Sequence, residues 1–144
     1  MIGNGGLHYV ASHMATDLSR LVSHLSVHSF DSVGFITSNA NDHGYDNIFT
    51  RWLETINFAN ENTSPIVIGL SCSGRSINVI NALELAIKNN SKAYLISGVE
   101  NKNLKQGIKQ LNFDCKYYHT VEALCLMLFY HIVHSIGYKC PPIR

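Results

Sequence analysis

The sequence predicts an open α/β domain, a parallel sheet wound with helices on both faces. Three observations predict it. First, the short apolar runs "SVGFITS" (32–38), "PIVIGLS" (65–71) and "KAYLISG" (92–98) end in small or polar residues. Runs of that kind read as parallel strands buried on both sides. Second, stretches of helical periodicity lie between them, and strands that alternate with helices imply one sheet covered on both faces. Third, loops of glycine and small hydroxyl residues stand just before two of the helices, and in such sheets ligands bind beyond the carboxyl ends of the strands. The chain has 144 residues and is 46% hydrophobic, enough for one compact domain spanning 1–144.

Each element has its own signal. Residues 7 to about 27 carry Val10, Met14, Leu18, Leu21 and Leu25 on one helical face. Residues 44–58 and 74–89 show the same period. "CKYYH" (115–119) is a weaker strand candidate. The last helix is expected to start after Thr120 as N-cap and to stop at Gly137, ahead of Pro141 and Pro142. It is apolar almost all round, which predicts a largely buried helix.

Charge and composition exclude several functions. Eleven Lys and Arg face ten Asp and Glu, so no basic field draws nucleic acid or a membrane surface. The N-terminus reads "MIGNGG", without a charged leader and apolar run. The longest apolar stretch, "VEALCLMLFYHIV", is interrupted by Glu122 and His131 and is shorter than the about 20 residues a bilayer requires. Cys72, Cys115, Cys125 and Cys140 show no CxxC pairing, and are expected as free thiols in a reducing cytoplasm.

Two loops carry the candidate chemistry. "GNGG" (3–6) precedes the first helix, and "SCSGRS" (71–76) joins a strand to a helix. Backbone N–H groups at a helix N-terminus favour an anion, and hydroxyls beside them make a phosphate site without strong positive charge. The plain alternatives are turn geometry for the first loop and an N-cap with small residues for the second. No GK[ST] follows the glycines, which argues against a nucleotide P-loop.

Three ordered segments then give a resemblance. "GNGG…H…DL" (3–18), "NDHGYDNIFTRWLE" (41–54) and "GLSCSGRSINVINAL" (69–83) resemble the signature segments of the sugar isomerase (SIS) domain, within it the phosphoheptose isomerase group. The resemblance implies a doubly wound, flavodoxin-like sheet of five parallel strands and a phosphorylated sugar as ligand. It places the sugar phosphate on Ser71, Cys72, Ser73 and Ser76. Asn4, Gly5 and Gly6 would line the substrate, and Asn41 and Asp42 would bond sugar hydroxyls. The implied reaction is an aldose–ketose isomerisation of sedoheptulose 7-phosphate or a similar sugar phosphate through an enediol, which needs an acid–base pair near both carbons. A cytoplasmic homo-oligomer, dimer or tetramer, is implied as well. The strand feeding the glycine loop would lie inside the sheet, yet only Met1 and Ile2 stand before that loop. The expectation is a truncated first strand without the helix that precedes it in the family.

The resemblance also shows departures. His13 stands where the family has its first His, and Asp17 where it has Glu, so these two are the candidate catalytic residues. On the last helix, aligning Glu122 with the family's Glu puts Val121 at a Gln position and Phe129 at a second His. Some members use zinc, but with Val121 and Phe129 the ligand set is incomplete and no cofactor is expected. Leu7 occupies a place where a Ser often touches phosphate. His13 and Asp17 at helical spacing also suit a surface pair. His131 and His134 read as core histidines, and Cys72 either has a lowered pKa at its helix N-terminus or replaces a small hydroxyl residue. His8, His24, His28, His43 and His119 support no role. The alternative to an isomerase is a non-catalytic SIS protein, a phosphosugar sensor or protein-binding module, or a chain whose site is vestigial.

Overall fold

The computed structural model describes residues 1–59 and 65–143. Its elements are β1 (Ile2–Gly3), α1 (Gly6–Leu21), α2 (Val33–His43), a 3-10 turn (Tyr45–Asn47), α3 (Ile48–Thr55), β2 (Ile66–Ser71), α4 (Ile77–Lys88), β3 (Lys92–Ser97), β4 (Ile108–Asn112) and α5 (Tyr118–Ser135). The described strands form one sheet of four in the order β1-β2-β3-β4, with every pairing parallel. The architecture is therefore the predicted α/β one, with four strands in place of five.

Alternation along the strands builds two cores. Met1, Leu70 and Ile96 point to one face and pack with Leu7, Met14 and Leu18 of α1 and Val121, Cys125 and Phe129 of α5. Ile2, Val67, Ala93 and Leu95 point to the other and meet Phe49, Leu53, Val79, Leu83 and Ala86 from α3 and α4. Helices thus cover both faces.

The expected strand at 32–38 is a helix, and this accounts for the missing fifth strand. Ser32 caps it by accepting the Phe35 N–H at 3.3 Å. Thr37 Oγ1 donates to Val33 O at 3.1 Å, and Asn39 Nδ2 to Phe35 O at 3.1 Å, bonds that only the helical turn offers. Phe35, Ile36 and Ala40 then share a face that packs beneath Phe30. The first strand is indeed only two residues long, but it lies at the edge of the sheet rather than inside it.

Other boundaries also differ. The chain leaves α1 at Leu21, where Val22 is extended and Ser19 accepts the Val27 N–H. Residues 115–117 are not a strand; the last strand is β4, a polar segment held by pairing Ala93–Ser97 with Ile108–Asn112. Thr120 lies in the first turn of α5, whose N-cap is Tyr117. Only Val121, Cys125, Phe129 and Val133 of α5 are buried, so the helix is less covered than its composition predicts, and Met127 is 67% exposed. Among the described residues no helix is long and apolar enough to cross a membrane.

Candidate functional site

The carboxyl ends of β1 and β2 open into the two loops singled out in the sequence. In the hydroxyl loop, Ser71 Oγ lies 2.9 Å from Ser76 Oγ and accepts the Ser76 N–H at 3.3 Å. Ser73 Oγ accepts the Arg75 N–H at 3.2 Å. Gly74 makes the turn with φ +67°, and a Cβ there would meet Val99 O at 2.6 Å. Asn101 Nδ2 donates to Gly74 O at 2.8 Å, and Cys72 O accepts the Gly98 N–H at 3.1 Å. The loop is therefore braced from behind by the segment after β3. Ser76 caps α4 without a side-chain bond to its first turn; Asn78 Oδ1 accepts the Val79 N–H at 2.9 Å, which leaves the turn's earlier backbone donors for an anion.

The glycine loop meets the hydroxyl loop's helix through side chains. Asn4 Nδ2 donates to Asn78 Oδ1 at 2.9 Å, and Asn78 Nδ2 donates to Asn4 Oδ1 at 3.0 Å. Tyr45 OH donates to Asn4 Oδ1 at 3.0 Å. One residue from each of the other two signature segments thus converges on Asn4. Sequence reading found Asn4 but missed Tyr45 and Asn78; both stand inside the quoted segments, which was the available signal. Gly6 is packed against the Glu122 carboxylate, which occupies the space a side chain would need. Asn41 and Asp42 are exposed and bond to each other at 2.8 Å, with no bond to either loop.

Cys72 is half-buried, and burial first, then the nearby Glu122 carboxylate, pushes its thiol up from the ordinary value. That favours the small-residue reading over a reactive thiol. The four cysteines are all free.

His13 and Asp17 come together in a second cluster, along the groove between α1 and α5. Their closest atoms, His13 Nε2 and Asp17 Oδ2, are 3.7 Å apart. Tyr130 OH of α5 donates to Asp17 Oδ2 at 2.6 Å and lies 2.9 Å from His13 Nε2. Arg20 donates to Asp17 Oδ1 at 2.9 Å. The Tyr130 bond, with Arg20 and His13 adding to it, holds the Asp17 carboxyl below the ordinary range, against the opposing effect of burial. The same bond pushes Tyr130 up to about 12. Sequence reading did not find Tyr130 or Arg20. Arg20 was legible at i+3 from Asp17; Tyr130 carried no signal, because the pairing of α1 with α5 is tertiary.

Val121 and Phe129 are buried against the sheet. His131 and His134 are exposed rather than core residues, and Ser135 Oγ lies 3.3 Å from His131 Nε2. Among the described residues no three His, Cys, Asp or Glu side chains converge. Asp17 also has both oxygens engaged by Tyr130 and Arg20. The residues present do not fit a zinc ion that takes three protein ligands.

Comparison with known proteins gives the family. No protein-family model matches the chain. The chain is 34% identical over 107 residues to a phosphoheptose isomerase of Buchnera aphidicola, covering 72% of the chain and 53% of that relative. It is 35% identical over 118 residues to the one from Pelodictyon phaeoclathratiforme, covering 77% and 54%. The chain spans about half the length of these relatives. The fold is that of the phosphoheptose isomerase of Neisseria gonorrhoeae, with a TM-score of 0.76 and 22% identity over 94% of this chain and 74% of the other. The Francisella tularensis enzyme gives 0.70 and 18% over 93% and 71%. By its sequence relatives, and with a fold that agrees, this chain belongs to the phosphoheptose isomerase family, within the SIS fold.

Proposed function

We propose that this chain binds a phosphorylated sugar and interconverts its ketose and aldose forms, with sedoheptulose 7-phosphate or a close analogue as substrate. The observation that carries the proposal is the convergence at the carboxyl ends of β1 and β2. A braced hydroxyl loop with free donors at the start of α4 stands beside a glycine loop whose Asn4 is held by Asn78 and Tyr45. Ser71, Ser73 and Ser76, with the backbone around Cys72, take the phosphate. Asn4, Gly5 and Gly6 face the sugar, and Asn41 and Asp42 meet its hydroxyls from the rim. Names of relatives favour the isomerase over the non-catalytic alternative.

The acid–base work falls to the cluster that brings His13 and Asp17 together, and no metal step is included. Seven residues of helix separate Gly6 from His13, which is about 10 Å along the axis of α1. The proposal includes self-association through α5 and α1, whose exposed Tyr9, Met127 and Ile132 leave apolar surface in the single chain. Free thiols suit a reducing cytoplasm. The test is direct. Purified chain is incubated with sedoheptulose 7-phosphate, and the aldose product is followed by NMR. Binding without turnover would return the reading to a phosphosugar sensor; neither binding nor turnover would make the site vestigial.

A further inference from the structure

Tyr130 has one hydroxyl proton and two neighbours that compete for it. Asp17 is acceptor-only as a carboxylate, and its Oδ2 lies 2.6 Å away, so the phenol donates there. The phenol oxygen is then an acceptor toward His13 Nε2 at 2.9 Å, and that nitrogen must carry a proton. The two rings meet edge to face, at 69°. In the neutral imidazole the remaining lone pair is therefore on Nδ1. The two candidate catalytic residues also differ in access. The His13 side chain is 54% exposed and that of Asp17 only 12%. Both Asp17 oxygens are engaged, one by Tyr130 and one by Arg20.

The geometry points to His13 Nδ1 as the proton-accepting atom of the isomerisation, with Tyr130 and Asp17 as positioning residues that hold the ring in its Nε2–H tautomer. This rests on the isomerase reading above. The groups facing Asp17 and Tyr130 are His13 and Arg20 from α1, with Cys140 beside the phenol from the C-terminal segment. In the step, Nδ1 takes the proton from the carbon beside the carbonyl. That C–H pair becomes the C=C bond of the enediol. The carbonyl π pair moves to oxygen, which takes a proton from water. Nδ1 then returns its proton to the former carbonyl carbon, while the neighbouring hydroxyl gives its proton to water and becomes the new carbonyl. Nothing is oxidised or reduced overall. Tyr130 thus stands on the last helix in a role that neither buried Phe129 nor buried Val121 can take.

The test uses the full chain labelled with 15N-histidine, with the His13 signals assigned by their loss in His13→Gln. In its neutral form, His13 should be a single Nε2–H tautomer whose proton exchanges slowly with water. Tyr130→Phe should average the tautomers and lose that protected proton. In kinetics it should lower kcat about tenfold or more with KM little changed, and His13→Gln should lower kcat about a hundredfold or more. An Nδ1–H tautomer in the wild type, which needs no variant to fold, overturns the assignment. So does a folded Tyr130→Phe chain with an unchanged Nε2–H signal, or turnover that survives His13→Gln. A wild type that binds phosphosugars without turnover overturns the base role together with the proposed reaction, while the tautomer still reports separately on Tyr130.

Discussion

The side-chain amides of Asn4 and Asn78 bond to each other in both directions, at 2.9 and 3.0 Å, and so tie the glycine loop to the first turn of α4. Asn78 is 2% exposed, so its amide cannot turn to water instead. Asn78→Ala should destabilise the fold by about 1–3 kcal/mol, the cost of removing the acceptor of the buried Val79 N–H and the partner of the half-buried Asn4 amide. It should also weaken phosphosugar binding, because Asn4 loses the group that orients it. Thermal melts and calorimetric titration check the two effects. An unchanged melt would show that the paired amides are replaceable by solvent.

Ser73→Asp should abolish phosphosugar binding. The substitution puts a fixed negative charge in the hydroxyl loop, where the anion would sit. A carboxylate can still accept the Arg75 N–H that Ser73 Oγ accepts now, so the loop should keep its shape. Calorimetry on the folded variant decides; undiminished affinity would place the phosphate elsewhere.

The Asp17 cluster should make stability depend on acid pH. The folded carboxyl titrates below its ordinary value of 3.8, chiefly through the Tyr130 bond. Its contribution is therefore fully present above that ordinary value, and it is lost as pH falls through the folded one. Hydrogen bonds to a charged group are worth about 1.5–3 kcal/mol. Asp17→Asn should thus be less stable than wild type by roughly that amount at neutral pH, with the gap closing in strong acid. Tyr130 has the opposite sign. Its folded value is raised from 10.0 to about 12, so its contribution is present below 10 and lost as pH rises through 12. Urea unfolding across pH measures both limbs, and parallel curves for wild type and Asp17→Asn would remove the linkage.

Zinc should not survive dialysis at one ion per chain. His13 and Asp17 are the two candidate ligands, and Asp17 is already bonded through both oxygens. Stoichiometric metal by atomic absorption would mean that a further histidine moves in to complete the shell.

The chain should self-associate through α5 and α1. Met127 is 67% exposed on a largely apolar helix, so Met127→Glu should shift the population toward smaller species. Light scattering reads the outcome. A monodisperse wild-type monomer would show that the exposed stripe needs no partner.

The core strands and the loops after them were legible because their signals are local. "PIVIGLS" and "KAYLISG" are buried on both faces and became β2 and β3. The hydroxyl loop follows from a strand, a small-residue turn and a helix cap, all within ten residues. The segment 32–38 was misread because its β-branched and aromatic residues suit either period. What decides it is Ser32 as N-cap and Phe30 waiting beneath Phe35 and Trp52. β4 was missed because an edge strand buries little, so its polar "IKQLN" carries no hydrophobic pattern.

By itself the sequence determined the fold class, the family, and the positions of the hydroxyl and glycine loops, since each rests on residues close together in the chain. Only the tertiary structure decided what those residues do to one another. It joined Asn4 to Asn78 across 74 positions and His13 to Tyr130 across 117. It also buried Phe129 while turning its neighbour Tyr130 toward Asp17. The physical reason is that a proton's place in a hydrogen-bonded chain depends on which donors and acceptors face it. That is set by how two helices pack on a sheet, and no local spacing encodes it.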